Sequence, residues 1–113
     1  MLKSIINKNS MKDDVNFNEI KFMIGKSLCF SQKGIKASKL SDVEFQVFSQ
    51  WGEDGIIEYI LSNIPIRNKF FIEFGVEDYI EANTRFLMMN RNWSGLVIDG
   101  SQKNIELLKK QKI

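Results

Sequence analysis

Two acids and a glycine carry the chemistry that this chain offers. Glu73 lies in the run Phe70-Phe71-Ile72-Glu73-Phe74, Gly75 follows it, and Asp99 closes a second apolar run, Leu96-Val97-Ile98. Short, nearly continuous apolar runs of this kind predict strands buried on both faces of a parallel sheet. A ligand on an open α/β sheet lies outside the carboxyl ends of the strands, which is where Gly75 and Asp99 would both stand. Glycine lets the backbone turn there and leaves no side chain in a ligand's way. A carboxylate presents two acceptor oxygens, which suits the two adjacent hydroxyls of a ribose. Gly75 and Asp99 are 24 residues apart, close to the roughly 20 between a nucleotide-binding glycine turn and its ribose-binding acid.

The elements that must position these groups follow from patterning. A helix is predicted from about Glu81 to about Asn92, with Ala82, Phe86, Leu87 and Met89 on one face and Met88 and Met89 as core filling. Asn92 and the Ser94-Gly95 pair end it. Ser101 is a good N-cap for a further helix in which Ile105, Leu107 and Leu108 face inward, and Lys109, Lys110 and Lys112 suit its carboxyl end. Upstream, Val43, Phe45 and Val47 alternate with Glu44 and Gln46, which predicts a short extended segment. Ile56, Ile57, Tyr59, Ile60, Leu61 and Ile64 form a stripe at helical spacing that Pro65 stops. Asp54 is placed to cap that helix, Glu53 favours its dipole, and Trp51 is expected in the core.

Composition sets bounds. With 113 residues, 43% hydrophobic and 27% charged, the chain is at most one globular domain. No apolar run approaches the roughly 20 residues that span a bilayer, so no membrane span is expected. Histidine is absent and Cys29 is the one cysteine. No internal disulfide is then possible, a cytoplasmic setting is expected, and no metal site is expected. Mg or Ca on Glu77, Asp78 and Glu81 is the remaining route, and a solvated loop is the preferred reading of that cluster. Residues 1–40 hold eight Lys against three acids, a net of +5, whereas the remaining 73 residues hold eight basic and eleven acidic side chains, a net of −3. No Arg cluster or aromatic interleaving accompanies the lysines, so no nucleic-acid partner is expected. Residues 1–41 read as a basic leader, partly helical or disordered: the start through Asn18 is expected to be frayed, a short helix is predicted over Ile20–Phe30, and a loop follows near Gly34, Ser38 and Ser41.

Four blocks in order carry a resemblance. They are Ser49-Gln50-Trp51-Gly52-Glu53-Asp54-Gly55-Ile56, then Phe71-Ile72-Glu73-Phe74-Gly75 with Asp78, then Asn83-Thr84-Arg85, then Trp93-Ser94-Gly95-Leu96-Val97-Ile98-Asp99-Gly100. Together they resemble the FkbM-type S-adenosylmethionine-dependent methyltransferases of bacteria, over roughly residues 42–112. The resemblance implies a Rossmann-like, three-layer α/β fold, of which residues 42–113 would be the N-terminal part, truncated after the second strand-helix unit. It implies S-adenosylmethionine as cofactor, Glu73 near its methionine part, Gly75 admitting the backbone close to it, and Asp99 on the ribose. Gln50, Asp54 and Asn83 stand in the matching blocks and are carried over as cofactor-binding residues. Tyr79 stands where the broader family often has glycine, and a bulky residue there is expected to narrow the cofactor loop.

The implied reaction is O-methylation of a sugar or similar hydroxyl acceptor. Methyl transfer to a hydroxyl needs sulfonium carbon and acceptor in line and a base for the proton; no residue is identifiable as that base. A nicotinamide-dependent Rossmann domain is the less favoured enzyme reading, because Gly75-Val76-Glu77-Asp78-Tyr79 lacks the further glycines that admit a pyrophosphate and sets carboxylates where phosphates would lie. A non-catalytic remnant or interaction fragment is the other alternative. Two strands are fewer than such a sheet needs, so the chain alone is expected to be inactive, and the unpaired edge of Phe70–Phe74 is expected either to self-associate or to be capped by the leader.

Overall fold

The computed structural model describes residues 2–110, with side chains from Asn16 onward. Among these residues the chain is a small α/β domain of four α-helices and a two-stranded parallel sheet. The order is α1 (Leu2–Gln32), a 3₁₀ turn (Leu40–Asp42), α2 (Glu53–Asn63), β1 (Phe70–Phe74), α3 (Arg85–Arg91), β2 (Ser94–Ile98) and α4 (Gln102–Lys110). The Lys112 assigned to the end of α4 lies outside the described residues.

β1 occupies the span that its apolar run predicts. It pairs with β2 in the register Phe70↔Ser94, Ile72↔Leu96 and Phe74↔Ile98. Partners in a parallel pair share a face, and successive residues alternate. One face therefore carries Phe71, Glu73, Gly95 and Val97, and the helices cover it: Met88 of α3, Val97 of β2 and Leu108 of α4 pack against buried Val76, Tyr79 and Ala82. The other face is bare. Phe70, Ile72 and Phe74 are 54%, 57% and 72% exposed, and Leu96 and Ile98 are 50% and 40% exposed. The expected burial on both faces is thus corrected to burial on one, since among the described elements every helix that touches the sheet does so from the same side.

The leader is one helix rather than a frayed start and a short helix. α1 runs unbroken for 31 residues. Its packed part meets the core closely: a Cβ on Gly25 would lie 2.7 Å from Phe86 and from Val47. Phe22 stacks edge-on against Phe86 with ring centroids 5.9 Å apart, and Phe45 does so at 5.7 Å. Gln32, in the last turn, donates to the carbonyl oxygens of Val43 at 2.7 Å and Gly55 at 2.8 Å. Gly34, with φ 82°, then breaks away into the expected loop.

The segment 43–49 is not a strand. Its alternation survives as burial, with Val43 and Val47 inside and Glu44 and Gln46 outside, but it joins no strand ladder among the described residues. Its shape comes instead from Asp54. One carboxylate oxygen, Oδ2, accepts the amides of Val47 and Phe48 at 2.7 Å each and of Ser49 at 2.9 Å. Ser49 Oγ returns the favour by accepting the Asp54 amide at 3.2 Å. The helix start is therefore capped by Ser49, while Asp54 holds the preceding loop, the reverse of simple capping by Asp54.

α2 also buries an unexpected face. Its buried residues are Asp54, Gly55 and Glu58, whereas Ile60 and Ile64 are 40% and 50% exposed. Helical period says which residues share a face, not which face meets a neighbour. Here the inward positions carry acids with fixed partners: Glu58 takes a forked contact from Arg91 of α3 at 2.9–3.1 Å. Trp51, expected inside, is 70% exposed. α3 starts at Arg85 rather than near Glu81, because Asn83 and Thr84 are held by Glu73 in a turn. Asn92, at φ 59° and ψ 34°, ends it in the left-handed cap that the sequence predicts. Ser101 caps α4 through Asn104 N to Oγ at 3.3 Å. On α4, Ile105 and Leu108 turn inward, but Leu107 is 41% exposed. Met88 joins the core, whereas Met89 is 39% exposed.

A buried carboxylate oxygen holding three amides predicts a large effect from removing one charge. Asp54→Asn is expected to lower the unfolding free energy by about 2–4 kcal/mol, through weaker acceptance and an inserted amide with no acceptor. Glu53→Gln, whose carboxylate reaches only the exposed Trp51 amide, should stay within about 1 kcal/mol. Urea unfolding followed by circular dichroism measures both, and equal effects would remove Asp54 as the organiser of the loop.

Candidate functional site

The parallel register brings the carboxyl ends of β1 and β2 side by side. Gly75 leaves β1 with φ 67° and donates its amide to Ile98 O at 2.8 Å. A positive φ is where glycine is favoured, and a Cβ there would meet nothing within 4 Å, so the space in front of the turn is open. The turn then keeps an unusual path, with Glu77 at φ 52° and Tyr79 at φ 66°. Non-glycine residues adopt this region at a cost.

Tyr79 shows what offsets that cost. It is 2% exposed, packs with Val76 and Ala82, and its hydroxyl lies 2.8 Å from Thr84 Oγ1. Burial pushes its phenol above the ordinary value. The left-handed backbone explains why glycine would suit this position. The ring goes into the core and not across the turn, so the expected narrowing of the loop is corrected.

Glu73 faces inward and reaches the start of α3. Its Oε2 accepts the Asn83 amide at 3.0 Å, and its Oε1 accepts the Thr84 amide at 2.9 Å and the Thr84 hydroxyl at 2.6 Å. Asp99 does the corresponding work at the end of β2. Its Oδ2 accepts the Glu77 amide at 2.8 Å, and its Oδ1 accepts the Ser101 amide at 2.9 Å and Asn104 Nδ2 at 3.1 Å. Each acid therefore ties a strand end to the next turn. Each oxygen also has two acceptor directions, so Asp99 Oδ2, with one amide, retains one for a ligand.

Beside Glu73 lies a polar recess of about 250 Å³ lined by Gln50, Glu73, Gly75, Glu77, Glu81 and Asn83 among others. It unites four of the six residues singled out from sequence: Gln50, Glu73, Gly75 and Asn83. Asp99 is joined to its rim through the Glu77 amide. Asp54 is not part of it: at 2% exposure, with Oδ2 committed to three amides, it is a buried support for the loop that carries Gln50. The sequence reading missed Thr84, whose hydroxyl links Glu73 to Tyr79; its place in the Asn83-Thr84-Arg85 block was the available signal. No group of three or more metal-ligating side chains converges among the described residues, Glu77, Asp78 and Glu81 included. Cys29 lies elsewhere, half-buried beside Asn90, with its thiol pushed up to about 11 by burial and then by Glu58, so it is not a thiolate at neutral pH. Among the described residues no helix is long and apolar enough to cross a membrane. Comparison of the chain with protein-family models, curated proteins and solved structures finds no match.

The Ser101 amide, then Asn104 and the Glu77 amide, hold the Asp99 carboxyl below its ordinary range. A lowered folded value means that the contribution is present above the unfolded value, near 3.9, and is lost as pH falls toward the folded one. Proton titration of the Asp99 carboxyl by NMR is expected to give a midpoint below that of an unstructured Asp. The Glu77 and Ser101 amide shifts should move over the same interval. A midpoint at the unfolded value would show that the staple is absent in solution.

Proposed function

We propose that these elements are the first part of a Rossmann-like methyltransferase domain, of FkbM type, that uses S-adenosylmethionine to O-methylate a sugar or similar hydroxyl. The observation that carries this reading is an open glycine turn and the strand-end carboxylate of Glu73 on one polar recess, with the second strand-end carboxylate, Asp99, joined to its rim through the Glu77 amide. A recess of about 250 Å³ is below the roughly 300–1,000 Å³ of whole-ligand sites, and so suits one end of a cofactor. Its acidic lining favours the ammonium of an amino acid over a phosphate, which separates this reading from a nicotinamide-dependent domain.

Glu73, Gln50 and Asn83 would hold the methionine end, Gly75 would admit it against the backbone, and Asp99 would take a ribose hydroxyl on its remaining acceptor direction. The cofactor, when bound, supplies an electrophilic methyl group. Glu73 also fixes the Asn83-Thr84 turn, with two hydrogen bonds accepted on Oε1 and one on Oε2, which keeps one acceptor direction. No side chain in the recess stands out as the base for the acceptor hydroxyl, and the chain alone is expected to be inactive. A reducing cytoplasm is the compartment that suits it.

The bare sheet face supports the reading of an incomplete domain, and equally favours the alternative of an interaction fragment. Doubly wound sheets carry helices on both faces. Five large apolar side chains on one uncovered face, beside an unpaired β1 edge, form a surface that water disfavours. Concentration-dependent self-association is expected in sedimentation velocity. Ile72→Lys with Phe74→Glu, both on that face, should reduce it strongly. A monomer at all concentrations would remove the face as an association surface.

Cofactor binding is tested directly. Saturation-transfer NMR is expected to show ribose and methionine protons of S-adenosylmethionine in contact with the chain, and NADH should not displace them. Asp99→Ala should weaken binding about tenfold, the scale of a lost charge-assisted hydrogen bond. No contact at millimolar cofactor would sink the reading, and unchanged affinity in the variant would remove Asp99 from the site.

A further inference from the structure

A second recess, of about 130 Å³, opens where α1 crosses the 46–49 segment. Its polar lining is Asn18, Lys21, Gln46, Ser49, Glu81 and Arg85. Phe48 forms the floor, 3% exposed, and bears two cations: the Arg85 guanidinium lies 4.0 Å from the ring centroid and Lys21 Nζ lies 5.4 Å from it. One cation on an aromatic face is stabilising. A second on the same ring is repelled by the first, so the arrangement gains from an anion placed between them.

Donors for such an anion remain after the internal bonds are assigned. Arg85 Nη1 donates to Ile80 O at 2.6 Å, which leaves further N–H groups of its five-donor fork. Ser49, 1% exposed, accepts the Asp54 amide on Oγ, and its own hydroxyl hydrogen is still to be placed. Gln46 Nε2 is spent on the carbonyls of Ser49 and Gln50. Two acids act against an anion. Glu81 lines the recess and Asp78 acts on Arg85. For Arg85, burial is nonetheless the largest influence and lowers its value, with the upward pulls of Tyr79 and Asp78 ranking behind it.

We propose that this recess holds a small oxyanion, a phosphate or carboxylate group, between Lys21 and Arg85. The volume admits one such group and not a whole cofactor. The group comes either from a free anion or from the acidic substituent of a larger molecule. The recess shares Glu81 with the one at the strand ends. A hydroxyl acceptor that reached both would carry an acidic group, a step that rests on the methyltransferase reading.

The anion site is tested without the cofactor, so the two readings fail separately. The ³¹P line of inorganic phosphate, titrated with the chain at constant ionic strength in chloride, is expected to broaden saturably. Lys21→Gln should weaken the effect about tenfold, and Arg85→Lys, which keeps a charge but loses the fork, should weaken it as well. Lys33→Gln, in the turn just after the same helix and with its ammonium over Phe30, should leave it unchanged. Because Lys21 is on the surface of α1, its variant reports even where an Arg85 variant fails to fold. Ribose 5-phosphate binding more tightly than phosphate, with ribose alone silent, would support an acidic acceptor; equal binding would support a free-anion site. Broadening that chloride abolishes, or that Lys21→Gln leaves untouched, overturns the proposal.

Discussion

The Asp54 carboxylate is the contact on which the rest of this structure leans. Three consecutive amides, those of Val47, Phe48 and Ser49, converge on its Oδ2. Buried amides need acceptors, and a segment that joins no sheet cannot find them along a neighbouring strand. A buried carboxylate, in turn, is tolerable only when donors surround it. Each therefore offsets part of the other's desolvation cost, on Oδ2, while Oδ1 is buried without a hydrogen-bond partner among the described residues. The loop so fixed presents Val47 and Phe48 to Phe86, and they form the cluster against which Phe22 and Cys29 of α1 and Phe45 are packed. Its Phe48 carbonyl accepts the Ala82 amide at 3.1 Å, which connects the loop to the turn before α3.

From there the same device recurs at the sheet. Glu73 accepts the amides that open the turn into α3, and Asp99 accepts the Glu77 and Ser101 amides on either side of its strand end. A parallel strand pair leaves irregular backbone at its carboxyl edge, and acids there satisfy amides that no ladder reaches. Structural and ligand-holding roles compete for the same lone pairs. Asp99 and Glu73 divide their oxygens alike: one accepts two hydrogen bonds, the other accepts a single amide and keeps one acceptor direction.

The uncovered sheet face sets a limit on how far the fold can be self-sufficient. The bare side of β1 and β2 carries Phe70, Ile72, Phe74, Leu96 and Ile98, more large apolar residues than the covered side with Phe71 and Val97, a pattern suited to strands with helices on both faces. The apolar stripe of α2 is also only partly covered, with Ile60 and Ile64 exposed, so the chain presents more apolar surface than its own helices bury.

Much of the local structure was legible in the sequence because it depends on near neighbours. The Phe70–Phe74 strand, the Asn92 cap, the stop at Pro65 and the Ser101 cap follow from residue type and short spacing. A glycine turn after a strand likewise marks where Glu73 and Gly75 lie, whereas Gln50 and Asn83, which line the same recess, were singled out by the resemblance of their blocks. Tertiary contacts alone decided the rest. The length of α1 followed from docking against Phe86 rather than from its own patterning. Asp54 looked like a helix cap and became a loop anchor because the donors that reach it come from residues five to seven positions upstream. Tyr79 looked like an obstruction and became core because a left-handed backbone turns its ring inward. The buried face of α2 went to Glu58 because Arg91, 33 residues away, supplied its counter-charge. Periodicity records which residues act together; only the packed chain determines what they face.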